Sequence, residues 1–241
     1  KAVQEQGIDT TGLVYDNDVH TTLALVLKKE NGDRDFAFYR NPGADMNLKE
    51  EEVNESLIAS SSIFHFGTLS LTDESVKKAT QKAVKVAKEN GLTITFDPNL
   101  REPLWRSLEE AHEQVAWGLQ QADVVKISDN EITWFTGMDN YDEGIAFLQK
   151  EYPNLKLICL SMGGDGSKAV YRDIHVAYPA FLQEATIETT GAGDTFCACM
   201  IHTVLENGID HLDEEKLKEM LKFANAAASL VTTKKGALRV M

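Results

Sequence analysis

The sequence predicts an α/β fold, a doubly wound and mainly parallel sheet flanked by helices, with a small β-sheet ahead of it near the N-terminus. Three observations carry that expectation. From about Ile63 onward, short apolar runs alternate with amphipathic helical stretches, the pattern of strand and crossover helix repeated. The first 45 residues read instead as β-rich, and 241 residues with 43% apolar content suffice for one large domain with an appendage.

Taken in order, KAVQEQGID reads as the tail of a helix ending at Gly7, so residues 1–11 are expected to be the end of an α/β segment that begins partway through a fold. Residues 12–45 contain TTLALVLKKENGDRDFAFYR, two β-rich segments joined through Asn31-Gly32, a strong hairpin signal. Alternation puts Phe36, Phe38 and Arg40 on one face, so this sheet either covers a polar ligand or packs as an ordinary hairpin on the body or on another subunit. Residues 46–241 form the body, with four clear strands at Ile63–Phe66, Leu92–Phe96, Asp123–Ile127 and Leu155–Leu160. Thr72 is placed to cap a helix whose apolar positions recur from Val76 to Ala87 and which Asn90-Gly91 ends. Ser107 and Glu110 have capping-box spacing, and a last helix carries Leu217, Met220, Leu221, Ala224 and Val231 on one stripe.

Composition narrows the function. A formal charge of −14 repels a nucleic-acid backbone, so nucleic acid is not an expected partner. No apolar run is long enough to span a bilayer and KAVQEQGIDT lacks a signal-peptide core, so no membrane is expected and the chain reads as cytoplasmic. Cys159, Cys197 and Cys199 lack metal-site spacing and are expected to be buried free thiols.

The most informative segment is ETTGAGDTF, Glu188 to Phe196, a flexible turn followed by Asp194 at the opening of an apolar helix. Backbone N–H groups through Gly191, Ala192 and Gly193 can point outward there, where the helix dipole adds positive charge. A carboxylate in such an anion site repels phosphate but suits removal of a proton from a hydroxyl that attacks one, so phosphoryl transfer to an alcohol is expected. Otherwise Asp194 merely complements the dipole. In FDPNLR, Arg101 follows a strand and either faces a phosphate or is a surface arginine. In KISDNE, Glu131 either holds Mg²⁺ through water or completes a capping box with Ser128, and both readings can coexist. SMGGDGS reads as a glycine-rich turn that would also let a nucleotide approach the backbone at Gly163 and Gly166. No Walker sequence or dinucleotide fingerprint is present, and His65, in an apolar strand, reads as a core histidine.

These segments, together and in this order, resemble the PfkB (ribokinase-like) carbohydrate kinases, and most closely the bacterial fructokinases. ETTGAGDTF is similar to the C-terminal signature of that family, and FYRNPGADM, FHFGTLSLT, FDPNLREPLW, KISDNE, SMGGDGS and FANAAASLVTTKKGA support it. The resemblance implies a ribokinase-like fold and an ATP-dependent sugar kinase, making fructose 6-phosphate from fructose. It implies that Asp194 is the base, that Ala192 and Gly193 form the anion hole beside Gly191, and that Arg101 faces the transferred phosphate. Glu131 would organise Mg²⁺ and ATP phosphates, with Ser128, Ser161, Gly163, Gly166 and Asn225 at the nucleotide. The β-rich segment would be a sugar-side lid through which two copies dimerise, with Phe38 and Arg40 reaching the substrate.

Three departures from the family pattern bear on these roles. Glu188 replaces an Asp associated with a K⁺ site, which tells against potassium activation, and Cys199 replaces a smaller residue. The family's N-terminal strand and sugar motif are expected to be missing, and with them half of the sugar pocket. Alternative acceptors are a 2-keto-3-deoxy sugar acid, which Arg40 would favour, or ribose; a non-catalytic nucleotide-binding fragment is the third reading.

Overall fold

The computed structural model describes residues 2–28, 34–236, 238 and 240. A short helix α1 (Ala2–Glu5) stops ahead of Gly7, as expected. Strands β1 (Leu23–Lys28) and β2 (Arg34–Tyr39) pair antiparallel, Leu23 opposite Tyr39 and Ala24 opposite Phe38. The Asn31-Gly32 turn that predicts this hairpin lies outside the described residues.

After α2 (Glu55–Ala59) the body alternates as anticipated: β3 (Ile63–Gly67), α3 (Glu74–Glu89), β4 (Thr93–Asp97), α4 (Leu108–Gln121), β5 (Val124–Ser128), α5 (Asp129–Thr136), α6 (Tyr141–Glu151) and β6 (Leu157–Ser161). Two antiparallel strands follow, β7 (Ser167–Tyr171) and β8 (Ile174–Tyr178), then helices α7 (Ala192–Asn207) and α8 (Glu214–Val231). The six strands lie in the order β3-β4-β5-β6-β7-β8, the first four parallel.

Consecutive order has a geometric consequence. Right-handed crossovers between neighbouring parallel strands all deliver their helices to one face. Val125, Ile127, Ile158 and Leu160 accordingly pack with residues of α3, α4, α5 and α6. The alternate residues Val124, Leu157 and Cys159 point the other way and meet Phe196, Met200, Leu217 and Leu221 of α7 and α8. Period-two alternation along each strand therefore sorts the core into two layers around one sheet.

One local expectation needs correction, and one hairpin goes unread in the sequence. The N-cap position of α3 is Asp73, not Thr72, because a 3₁₀ turn over Thr68–Leu71 intervenes between β3 and the helix, and no side-chain bond caps it there. The Thr72 hydroxyl instead donates to the Leu69 carbonyl at 3.0 Å. The hairpin β7–β8 is invisible to turn chemistry, since its tight turn runs through Arg172-Asp173 with Arg172 at φ 56° rather than through Gly or Asn. By contrast Ser107 caps α4 by accepting the Glu110 N–H, and of the expected α8 stripe Leu217, Met220, Leu221, Ala224 and Val231 are buried while Ala227 and Ala228, which the sequence also places on it, are half-buried.

Candidate active site

Helix α7 is started by Gly191, whose φ of 82° lies in the left-handed region that a residue with a side chain adopts at a penalty. The first intrahelical bond runs from Thr195 N to Gly191 O at 2.8 Å. One of the amides expected to point outward is already engaged: Ala192 N–H donates to Thr189 O at 3.2 Å. Among the described residues no backbone–backbone bond takes the N–H of Gly193 or Asp194. The available donors are thus shifted one residue along the helix, to where its dipole still favours an anion.

Two cavities flank this first turn. One, of about 340 Å³, is lined by Ser161, Gly163, Gly166, Ala192, Gly193 and Asn225 among others. The second, of about 460 Å³, is lined by His65, Thr68, Asp97, Asn99, Asp194 and Cys197 among others. The helix start therefore divides them, with Gly193 facing one side and the exposed Asp194 facing the other.

Beneath the turn lies a pair of charges that the sequence reading passed over. One residue beyond the paired Phe96 and Val125, the register brings Asp97 and Lys126 side by side, with Nζ 3.2 Å from Oδ2. Both side chains are buried, and Nζ comes within 3.5 Å of where a β-carbon on Gly193 would stand. Burial pushes Asp97 up to about 6, against the pull of Lys126. Burial works to lower Lys126 as well, but Asp97 and Glu131 outweigh it and hold the ammonium protonated. The signal was present in DVVKI: a lysine inside a central apolar strand must be buried and needs a carboxylate. That carboxylate is 29 residues away and becomes a neighbour only through the sheet.

The remaining expected residues separate into distinct places. Ser161, Gly163, Gly166 and Asn225 come together at the first cavity. Gly166, at φ 96°, is required there because a β-carbon would strike the backbone of Tyr178 and lie 2.9 Å from Ala180 N. Asn225 is held by its own bonds, accepting from Ser167 Oγ at 2.8 Å and donating to Tyr178 O and Pro179 O at 3.1 and 3.0 Å. Glu131 is buried and each oxygen accepts an amide, Oε1 from Leu100 N and Oε2 from Ser128 N, both at 2.8 Å. With Ser128 it forms the capping box and also pins the loop carrying Arg101, whose Nη1 donates to Leu100 O at 2.9 Å. Neither Arg101, Phe38 nor Arg40 lines either cavity. Arg40 is buried and bonded to Asp45, Thr72 and the Leu69 carbonyl.

His65 is not a core residue: it stands on the wall of the larger cavity, with Nδ1 2.9 Å from Thr95 Oγ1. Incomplete solvation there lowers its pKa, opposed by nearby Asp194. All three cysteines are free and buried, and burial pushes Cys197 up to about 12, so it is an inert thiol at neutral pH. Glu188 Oε1 accepts the Gly236 N–H at 3.0 Å, tying the loop before α7 to the chain after α8. Among the described residues, no cluster of three or more His, Cys, Asp or Glu is arranged to hold a metal ion, and no helix is long and apolar enough to cross a membrane.

Residues 1–240 match the pfkB family carbohydrate kinase profile. Fructokinase-1 of Zea mays is 40% identical over 236 residues, which cover 98% of this chain and 72% of that protein. Among solved structures, the fructokinase from Xylella fastidiosa with bound ATP superposes with a TM-score of 0.89 at 28% identity, over 100% of this chain and 76% of that one. The fructokinase from Vibrio cholerae O395, in a fructose-, ADP- and calcium-bound form, gives 0.88 at 26% identity, over 99% and 75%.

Proposed function

The chain belongs to the pfkB family of carbohydrate kinases, and from that premise we propose how its residues divide the work of phosphorylating fructose with ATP. It is an ATP-dependent sugar kinase, and fructose is the acceptor its relatives are named for. The observation that carries the residue assignments is the start of α7 lying between two cavities. ATP occupies the cavity of Ser161, Gly163, Gly166 and Asn225, with its phosphates running toward Gly193. The acceptor hydroxyl enters from the Asp194 side.

In this reading the Asp194 carboxylate takes the hydroxyl proton as the oxygen attacks the γ-phosphorus. The amides of Gly193 and Asp194, the helix dipole and the buried Lys126 charge stabilise the migrating phosphoryl group, and Gly191 supplies the turn that aims them. Arg101 is close enough in sequence to the Asp97–Asn99 wall to approach that group on closure. Residues 12–45 act as the lid on the sugar side, and its exposed apolar surface at Leu23, Leu25, Val26 and Tyr39 suits a dimer formed lid to lid.

A divalent metal, Mg²⁺ in this proposal, enters with the nucleotide. The donor set fits only loosely, since Glu131 already accepts two amides and offers a metal at most an outer, water-bridged contact. When bound, the ion neutralises phosphate charge. Free buried thiols suit a cytoplasmic protein. Ion pairing of Arg40 with Asp45 removes the free cation that a sugar-acid acceptor would need, which favours a neutral sugar. A coupled assay with ATP and, in turn, fructose, ribose and 2-keto-3-deoxygluconate tests this. Turnover with fructose well above the others is expected; preference for the acid overturns the acceptor assignment, and no turnover with any sugar overturns the kinase reading of this chain.

A further inference from the structure

The β1–β2 hairpin is attached to the body at two roots, the residues just before Leu23 and just after Tyr39. Both roots converge on one short turn. From the entering side, Thr22 Oγ1 donates to Asp45 Oδ1, and the His20 carbonyl accepts Ala44 N–H at 2.9 Å. From the leaving side, Arg40 Nε donates to Asp45 Oδ2 at 2.7 Å. One carboxylate thus bridges the two ends of the hairpin, one oxygen to each.

The connection continues inward. Arg40 Nη1 donates to Thr72 Oγ1 at 2.8 Å and Nη2 to the Leu69 carbonyl at 3.0 Å. Thr68, Leu69 and Ser70 of that same turn line the cavity of Asp194. A planar guanidinium spends its three edges in three fixed directions, so moving Arg40 moves the hairpin and the cavity wall together. Packing leaves no slack, since a β-carbon at Gly43 would collide with Thr22 Oγ1 and lie 2.9 Å from Arg40 Cγ. The Arg40 side chain is 5% exposed, while Asp45 is 48% exposed and so can be changed without opening the core.

We propose that Asp45 is a positioning residue for the acceptor sugar: by clasping Thr22 and Arg40 it sets the hairpin against the Thr68–Thr72 turn and thereby shapes the cavity that Asp194 faces. This rests on the reading of that cavity as the sugar site, and it replaces Arg40 as a sugar ligand by Arg40 as a strut.

The test uses Asp45→Ala, with Asp45→Asn and Arg40→Lys as conservative companions, on the whole chain. Two measurements are made. Without any ligand, hydrogen–deuterium exchange of residues 23–28 and 68–72 is compared with the parent; Asp45→Ala is expected to speed exchange at both, and an unchanged 68–72 segment overturns the strut. With ligands, Asp45→Ala is expected to raise the fructose KM about tenfold or more while ATP affinity by calorimetry stays within about twofold, Asp45→Asn falling between. Proportional weakening of both ligands, or an unchanged fructose KM, overturns the proposal. A parent chain that does not phosphorylate fructose instead refutes the sugar-site reading, and the exchange result then still decides the strut.

Discussion

Single residues carry the chemistry through their surroundings. Asp194 is exposed at a helix start whose dipole and amides attract anions, while its own negative charge makes it a poor phosphate ligand, which is why the proposed role for it is to accept a proton. Asp194→Asn is expected to lower kcat by about 10² to 10⁴ with ATP affinity nearly intact, measured by steady-state kinetics and calorimetry. Retention of half the activity would remove the base assignment. The Lys126–Asp97 pair makes a prediction with a sign in pH. Lys126→Met leaves a buried carboxylate without its counter-charge, costing about 3–5 kcal/mol of stability at pH 8. Asp97 is already pushed up to about 6 by burial, above its unfolded value, so the folded variant keeps a proton that the unfolded chain has lost. Without Lys126 to pull it down, Asp97 in the variant stays protonated to a higher pH still, so the loss shrinks from pH 8 to pH 5, and denaturation midpoints at those two values check it. In the double variant Asp97→Asn/Lys126→Met, stability returns but turnover does not, if the ammonium serves the phosphate.

Among the elements, α4 is fitted to β4 by an absence. A β-carbon at Gly118 would stand 2.6 Å from Cε2 of Phe96, which is fully buried. Gly118→Ala gains about 1 kcal/mol in helix propensity but overpacks the core by about 1–3 kcal/mol, so a net loss near 1 kcal/mol is expected from urea denaturation. Ser107→Ala, which removes the acceptor for Glu110 N–H, is expected to cost about 1 kcal/mol by the same measurement. Elements whose boundaries are written locally were legible: Asn90-Gly91 closing α3, Ser107 opening α4, and the glycine turn with Asp194 opening α7. Those decided by tertiary contact were not. Thr72 has capping chemistry but its hydroxyl is taken by Leu69 and Arg40, and the β7–β8 turn is held in register by the sheet although Arg172-Asp173 carries no turn preference. The same limit hid the site's buried ion pair and the burial of Arg40 against Asp45, Thr72 and the Leu69 carbonyl.

At the scale of the molecule, one sheet separates two layers of core and gathers the strand ends Gly67, Asp97, Ser128 and Ser161 along the edge where both cavities open. A ligand that binds there binds only the folded chain, so ATP at one hundred times its dissociation constant should add about 2.7 kcal/mol, about 5–10 °C in melting temperature. A thermal-shift titration measures it, and no shift would argue against nucleotide in the smaller cavity. The clasp by which Asn225 holds the Tyr178 and Pro179 carbonyls has a consequence in time. During synthesis, the strand that ends in Tyr178 leaves the ribosome well before Asn225 does, and until that side chain arrives the rim of the cavity proposed for the nucleotide lacks its fastening. A growing polypeptide halted ahead of α8 should therefore fail to retain ATP, however well its parallel strands have already assembled.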